Sequence, residues 1–553
     1  MVRIIIKIGA GEKRLHFPSL WTIAVLSVTA IFVAPILAIF AAASGDSQNL
    51  WPHLMATSLP RYVTNTLTLM VGVAMLCVLF GVSTAWVIFR YDFKGRYILE
   101  WMLLLPAAVP AYLVAYTYTD FLEYAGPVQG MLRDFFGWQS SRDYWFPEIR
   151  SIEGAILVMG SVLYPYVYIM ARTSFMLTPL SIYETSMVAR RSMFWTVALP
   201  LARPAIIAGL APVLMEVISD FGTVEFFSVS TLTLEIFNIW LGMNNLVAAA
   251  QISVFSFFFI VGLVMLERWA RASRRYNDTS SRAKMLQPKP ISGLSLVGCY
   301  ATCCTPIIIG FVMPVAVLMN FVFQGYSLSF EDTVVNAAYA SFLLAGGVAV
   351  LTIAVAFLLG TVSFYQGNAT VRTLTPFASI GYAFPGTVLS IGVVTTAGAF
   401  DAGFASLSSA LTGYQSSGLL MGTVVMVMIA CAVRFQAIGS GAVTSGLERL
   451  PPNIMNASRS LGRGFGMSLG KLLLPLLTKS ILAGSLLVFV EVMKELPMTL
   501  LLRPFNFETL ATYVYQYAKD ELLEEAALPA LLIIATGIVP VAIMNSALRR
   551  LTR

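Results

Sequence analysis

The sequence predicts an all-α polytopic membrane protein, with about twelve transmembrane helices in two parallel six-helix repeats. Three observations carry this. Of 553 residues, 58% are hydrophobic and only 11% charged, against roughly 25% charged in soluble domains, so too few charges exist to build a water-facing surface. The apolar residues collect in runs of the roughly 20 residues a helix needs to cross a bilayer, whereas open sheets cannot span lipid and barrel strands are much shorter. The second half also repeats the first. With Leu199–Pro200 set on Leu474–Pro475, Gly209 meets Gly484, Glu216 meets Glu491 and Asp220 meets Glu495, and Pro110 meets Pro385 at the same offset.

The first half gives spans at about 19–43, 63–89, 98–122, 152–177, 204–227 and 247–266. The second gives about 294–323, 337–364, 374–399, 418–438, 480–502 and 526–548. The first run lacks a convincing cleavage site and is expected to remain as a helix. An even number of spans puts both termini on one side. Lys and Arg fall mainly in alternate connections, with Arg61, Arg133, Arg142, Arg150, Arg503 and Lys519 on the other side and Lys494 inside a span. The positive-inside bias therefore places both termini in the cytoplasm. Six spans per half set the copies in the same direction, related by an axis along the membrane normal, with a pathway expected between them. The domains are thus a repeat over 1–266, a cytoplasmic linker over 267–293 and a repeat over 294–553. The basic linker ("ERWARASRRYNDTSSRAKMLQPKPIS") has anionic lipid headgroups as its functional alternative.

The net charge of +7 reflects this loop bias, and no nucleic-acid partner is expected. The five cysteines, Cys77, Cys299, Cys303, Cys304 and Cys431, lack metal spacing and are expected to act as small buried hydrophobes. With His16 and His53 the only histidines, no metal site is assigned.

The connection near 178–203 and its relative near 448–479 are polar and basic between membrane-length apolar runs. "TPLSIYETS" (178–186) carries a helix start: Pro179 suits a first turn, and Ser181 with Glu184 fits a capping box. In "LPPNIMNASRSLG" (450–462), Pro451 and Pro452 break the chain, Asn453 can cap, and Gly462 can end the helix in a left-handed turn. Each half thus presents a short helix on the cytoplasmic side. An ordinary surface helix would explain one copy; two at matching positions suggest that something docks there in duplicate.

These residues resemble the permease subunits of bacterial binding-protein-dependent ABC importers, whose loop reads E-A-A, then Gly, then a spacer ending in hydrophobic-x-Leu-Pro. The second copy reads Asn456-Ala457-Ser458, Gly462, Leu474-Pro475; the first reads Glu184-Thr185-Ser186, then Leu199-Pro200. The first has Arg190 at the Gly position and a spacer three residues shorter, and the second has Asn456 for Glu. The resemblance implies a type I ABC importer permease fold with two coupling helices, each seated on one of two copies of an ABC ATPase subunit. It also implies a periplasmic solute-binding protein as partner, alternating access as mechanism, and the bacterial inner membrane as location.

A narrower resemblance lies in "LMEVISDFGTVEFFSVSTLTLEIFNIW" (214–240) and "LLVFVEVMKELPMTLLLRPFNFETLATYVY" (486–515), which look like fused permeases of ferric-iron importers. Fused permeases for thiamine and phosphonate-type solutes share the layout and remain alternatives. Glu216, Asp220, Glu491 and Glu495 are ionisable residues at membrane depth, where such groups usually face a bundle interior or water path. Glu216 and Asp220 would share a helical face. Acidic groups there suit a cationic substrate; structural pairing, as between Glu491 and Lys494, is the other reading. "GWQSSRDYWFPEIR" (137–150) and "YQYAKDELLEEAA" (515–527) are candidate docking surfaces for the binding protein, or plain solvated loops.

"GFGMSLGKLL" (464–473) falls short of a P-loop, with Phe465 and Leu472 at required Gly and Ser/Thr positions. The chain is therefore expected to bind no cofactor, leaving ATP to a partner, and no enzyme site is visible. "RYDFKGRY" (90–97) faintly matches a motif of twelve-helix secondary transporters, the competing class, but Ile88 stands where that motif needs Gly.

Overall fold

The computed structural model describes residues 19–47, 49–272, 286–325, 332–367, 369–413, 418–451 and 453–551. Among these the protein is almost wholly helical, and ten helices are long and apolar enough to cross a membrane. An eleventh crossing is a bent pair, Arg96–Ala108 with Ala111–Phe136, at 93° to one another, and the helix Leu246–Ala272 covers the remaining expected span. The described strand content is one two-residue parallel bridge, Tyr91–Asp92 with Lys289–Pro290. It ties the end of the expected linker to the 90–97 turn, where the Tyr300 hydroxyl also donates to the Lys94 carbonyl at 2.7 Å. Residues 273–285 of that linker lie outside the described residues.

Four expected spans are interrupted. Before Pro110 the chain forms a tight 3₁₀ turn, Leu105–Ala108, and restarts as Ala111–Leu122. Before Pro385 it forms Thr375–Ala383 and restarts as Gly386–Thr412. Proline lacks an N–H and pushes its predecessor out of helical conformation, so a break falls at the same register in both halves. The fifth and eleventh spans stop at Ser219 and Met493, and short helices Gly222–Phe226 and Pro497–Leu502 follow.

A second proline effect recurs. Phe194–Ala198, Ile308–Val312 and Leu469–Leu473 are single π-helical turns, each followed by a residue and then a proline: Leu199–Pro200, Met313–Pro314 and Leu474–Pro475. The N–H before each proline reaches back five residues, as Leu199 does to Phe194. The widened turn relieves the clash between the proline ring and the carbonyl four residues earlier.

The chain forms two compact units. One holds the first helix as far as Ala42 with Phe342–Val492 and Leu501–Asn506; the other holds Ala43–Ser341 with Met493–Leu500 and the chain from Phe507 onward. Packing therefore divides the chain differently from the sequence repeats. Leu20–Ala43 lies against second-half helices, with the Pro35 carbonyl directly over Gly392 and Trp21 edge-on to Phe465 at 5.4 Å. In the other unit, Leu294–Phe323 lies against first-half helices. Gly310 faces the Ser161 carbonyl, and the Tyr118 hydroxyl donates to the Ile309 carbonyl at 3.0 Å. Small residues at these crossings let backbones approach, as membrane helix packing requires; a Cβ on Gly160 would lie 2.6 Å from Leu76.

Candidate functional site

The two basic connections share one local plan. The first is the helix Leu180–Val188, a left-handed residue, the π turn Phe194–Ala198 and Leu199–Pro200. The second is Ile454–Ser460, a left-handed residue, the short helix Phe465–Ser468, the π turn Leu469–Leu473 and Leu474–Pro475. Gly462 has φ +77°, as its sequence position implied, and Arg190 holds the same place at φ +50°. Both helices end in a Schellman motif: the Arg191 N–H donates to the Ser186 carbonyl at 3.0 Å, and the Arg463 N–H to the Ser458 carbonyl at 3.2 Å. The three-residue difference falls after this motif, where the second copy inserts Phe465–Ser468.

The exposed faces also correspond. Glu184 and Thr185 are exposed and Ser186 buried; Asn456 and Ala457 are exposed and Ser458 buried. Beneath them Tyr183 and Met455 are buried. Ser186 donates to the Tyr183 carbonyl at 2.9 Å, and the Ser458 and Ser468 hydroxyls bond at 2.8 Å. Leu199 and Pro200 are half-buried, while Leu474 and Pro475 are exposed. Large apolar side chains stand in solvent at both copies, Val188 at 86% exposure and Leu461 at 80%. A groove of about 320 Å³ runs along the first copy, between Thr185, Ala189 and Thr196.

The caps differ from the sequence expectation. Pro179 is the N-cap rather than a first-turn residue, and no side chain caps this helix. Ser181 therefore forms no capping box with Glu184; its carbonyl instead accepts the Thr185 hydroxyl at 2.8 Å. Asn453 is the N-cap of the second copy but makes no side-chain cap bond. Pro452 lies outside the described residues.

The intramembrane acids occupy the breaks. Asp220 follows the last helical residue with extended backbone, so Glu216 and Asp220 do not share a continuous helical face. Its Oδ1 accepts the N–H groups of Thr223 and Val224 at 3.0 and 3.2 Å, and its Oδ2 the Thr223 hydroxyl at 3.0 Å. Glu495, at the matching break, accepts the Met498 N–H at 3.0 Å through Oε1. Both acids thus stand at the start of the next short helix, where orphan N–H groups need an acceptor. Asp220 is half-buried and Glu495 buried, while Glu216 is exposed and Glu491 half-buried.

Sequence reasoning missed a buried ion pair: Arg172 and Glu100 meet at 2.7 Å with side chains 6% and 5% exposed. The signal was present, since both charges fall within expected spans. It also missed Tyr112, buried two residues after Pro110, whose hydroxyl has no hydrogen-bond partner among the described residues. Of the five cysteines, four are buried and Cys304 is half-buried.

The two candidate outer loops come together in one unit. Residues 137–150 are ordered by the Asp143 carboxylate, which accepts the Gln139 and Ser140 N–H groups at 2.8 Å. Trp138 and Tyr144 stack at 4.6 Å. Arg150 pairs with Glu123 and, at 3.6 Å, with Glu521 of the second loop.

Apolar spans and duplicated basic loops define the class: an all-α polytopic membrane protein. Compared with models of known protein families, the chain matches none. It is 24% identical over 501 residues to the Fe(3+)-transport system permease protein FbpB 2 of Haemophilus influenzae, covering 89% of this chain and 91% of that protein. It is 22% identical to the ferric transport system permease protein FbpB of Actinobacillus pleuropneumoniae, over 90% of this chain and 73% of that one. The molybdenum transport system permease protein ModB of Escherichia coli is 25% identical over 35% of this chain and 86% of its own length. The chain is thus similar to fused importer permeases, most of all those of ferric systems, as its motifs implied.

Proposed function

We propose that this chain is the membrane permease of an ATP-driven importer that moves ferric iron, handed over by a periplasmic binding protein, into the cytoplasm. The observation that carries the reading is the full-length similarity to ferric permeases, with both halves represented. The paired helix–Schellman–π–Leu-Pro loops add a mechanism. Each short helix, joined through its left-handed turn to the π turn that opens the following span, seats on one of two ATPase subunits. Closing of the ATPase dimer on ATP moves both loops together and opens the pathway to the loaded binding protein; hydrolysis resets it. Nucleotide drives this only by binding one state better than the other. ATP binds the partner, not this chain, and both termini lie in the cytoplasm, on the side of the basic loops. The paired outer loops 137–150 and 515–527 receive the binding protein.

Labelled ferric-ion uptake at limiting iron, with the gene intact, deleted and restored, tests the substrate. Loss with rescue is expected. Unchanged iron uptake would remove ferric iron and leave the importer class. The molybdenum relative makes labelled molybdate the comparison to run on the same strains, with thiamine beside it.

A further inference from the structure

Three features at one offset of 275 residues converge on the breaks in the spans. Pro110 and Pro385 both restart a helix. Two residues later, Tyr112 and Thr387 are both buried, with hydroxyls that have no partner among the described residues. Asp220 and Glu495 cap the matching short helices.

In the unit that holds Tyr112, the chain just after both acids packs around it. Gly222, two residues after Asp220, sits between Tyr112 and Leu496: an added Cβ would stand 2.7 Å from Tyr112 Cβ and 3.1 Å from Leu496 Cδ2. The Tyr112 hydroxyl lies within electrostatic reach of Glu495 first and Asp220 second. Its ring is 94% out of solvent. The polar line continues through Tyr116, 5.7 Å from Tyr112 and 4.5 Å from Phe226, toward Glu225, which accepts from Lys519 at 3.2 Å.

An orphan buried hydroxyl is a costly thing to keep, and one within electrostatic reach of two carboxylates points to an intermittent ligand. We propose that Tyr112, Asp220 and Glu495 form a transit site for a hard trivalent cation, with the Tyr112 oxygen as the donor that the fold leaves uncommitted. This rests on the ferric reading above. Hard cations take carboxylate and other anionic oxygen donors. Asp220 has three of its roughly four acceptor positions filled by its own helix start, so it is held in place with capacity remaining. Lys494 stands next to Glu495 in the chain and offsets part of the acid charge, which suits passage rather than storage. Binding as phenolate exchanges one citrate or water oxygen on iron, which leaves, for the Tyr112 oxygen, and the phenol proton goes to the released ligand or water; the iron stays ferric.

The test uses the whole chain in lipid nanodiscs with ferric citrate as probe, and the same variants in the deletion strain. The parental protein is expected to develop the visible phenolate-to-iron charge-transfer band, and Tyr112→Phe to lack it while keeping the ring. In cells, Tyr112→Phe is expected to cut iron uptake at least ten-fold with chain level and ATPase association unchanged, and Asp220→Asn with Glu495→Gln to do likewise. Iron uptake in the restored strain with no band, a band that survives Tyr112→Phe, or Tyr112→Phe uptake within two-fold of parental, overturns the site. No iron uptake in the restored strain overturns the ferric reading itself, and the site with it.

Discussion

The two basic loops have the same backbone plan built from different residues. The second uses glycine at the left-handed position, Gly462, and inserts a short helix before its π turn; the first uses Arg190 and omits that helix. An L-residue there costs about 1–2 kcal/mol, so the first loop keeps a strained turn that the second does not. What is shared is the geometry that a partner would meet: an exposed two-residue face over a buried Ser, and a π turn into Leu-Pro. The loops also differ in what precedes them. The span ahead of the first is anchored by the buried Arg172–Glu100 pair, while the span ahead of the second carries buried Arg434 and Gln436.

The anchoring difference predicts the largest effect. Arg172→Met leaves Glu100 buried without its partner and is expected to cost about 3–5 kcal/mol, seen as loss of folded chain in detergent unfolding. Adding Glu100→Gln should recover most of it. A double variant as unstable as the single would mean that the pair does not anchor this span. Next are the exposed apolar tips. Val188→Asp or Leu461→Asp is expected to weaken ATPase association by roughly 30-fold, about 2 kcal/mol, leaving one ATPase copurified in place of two. Equal loss from either loop would make the docking symmetric, and loss from only one would give that loop the dominant part.

The left-handed turn gives opposite signs. Gly462→Ala is expected to destabilise by about 1 kcal/mol, while Arg190→Gly gains about 0–1 kcal/mol once the flexibility of glycine in the unfolded chain is counted. Limited proteolysis of each loop would read both, and destabilisation by Arg190→Gly would break the structural match between the copies. The smallest effect lies in two other connections, each held by an aspartate on backbone N–H groups: Asp143 in the first half, and Asp401 on Leu419, Leu420 and Met421 in the second. The N–H of Ser140, then that of Gln139, holds the Asp143 carboxyl below the usual range. A lowered folded pKa gives order that is complete above the ordinary value of about 3.9 and is lost as pH falls through the lower folded value. Fluorescence near Trp138 should therefore stay flat from neutral pH to about 4 and change only below it, and Asp143→Asn should abolish that acid transition.

The apolar spans and the duplicated loops were legible because each follows from local composition and a fixed offset, although ten helices, or eleven with the bent pair, qualify among the described residues where twelve were expected. Apolar runs report membrane depth directly, and proline breaks the helix at 110 and 385 and widens it to a π turn before 200 and 475. The capping box at Ser181–Glu184 was misread because Pro179 starts the helix two residues earlier than that pattern requires. Glu216 and Asp220 were placed on one face because spacing alone gives no sign that the helix ends at Ser219.

By itself, then, the sequence determined the class and the repeat, since these depend on which residues can live in lipid and on a fixed offset in the chain. Only the tertiary structure decided which helices lie together. It set Leu20–Ala43 against second-half helices, Leu294–Phe323 against first-half ones, Arg172 on Glu100, and Gly222 between Tyr112 and Leu496. These contacts join residues far apart in the chain, and among apolar helices their choice rests on close shape fit, which hydropathy does not encode.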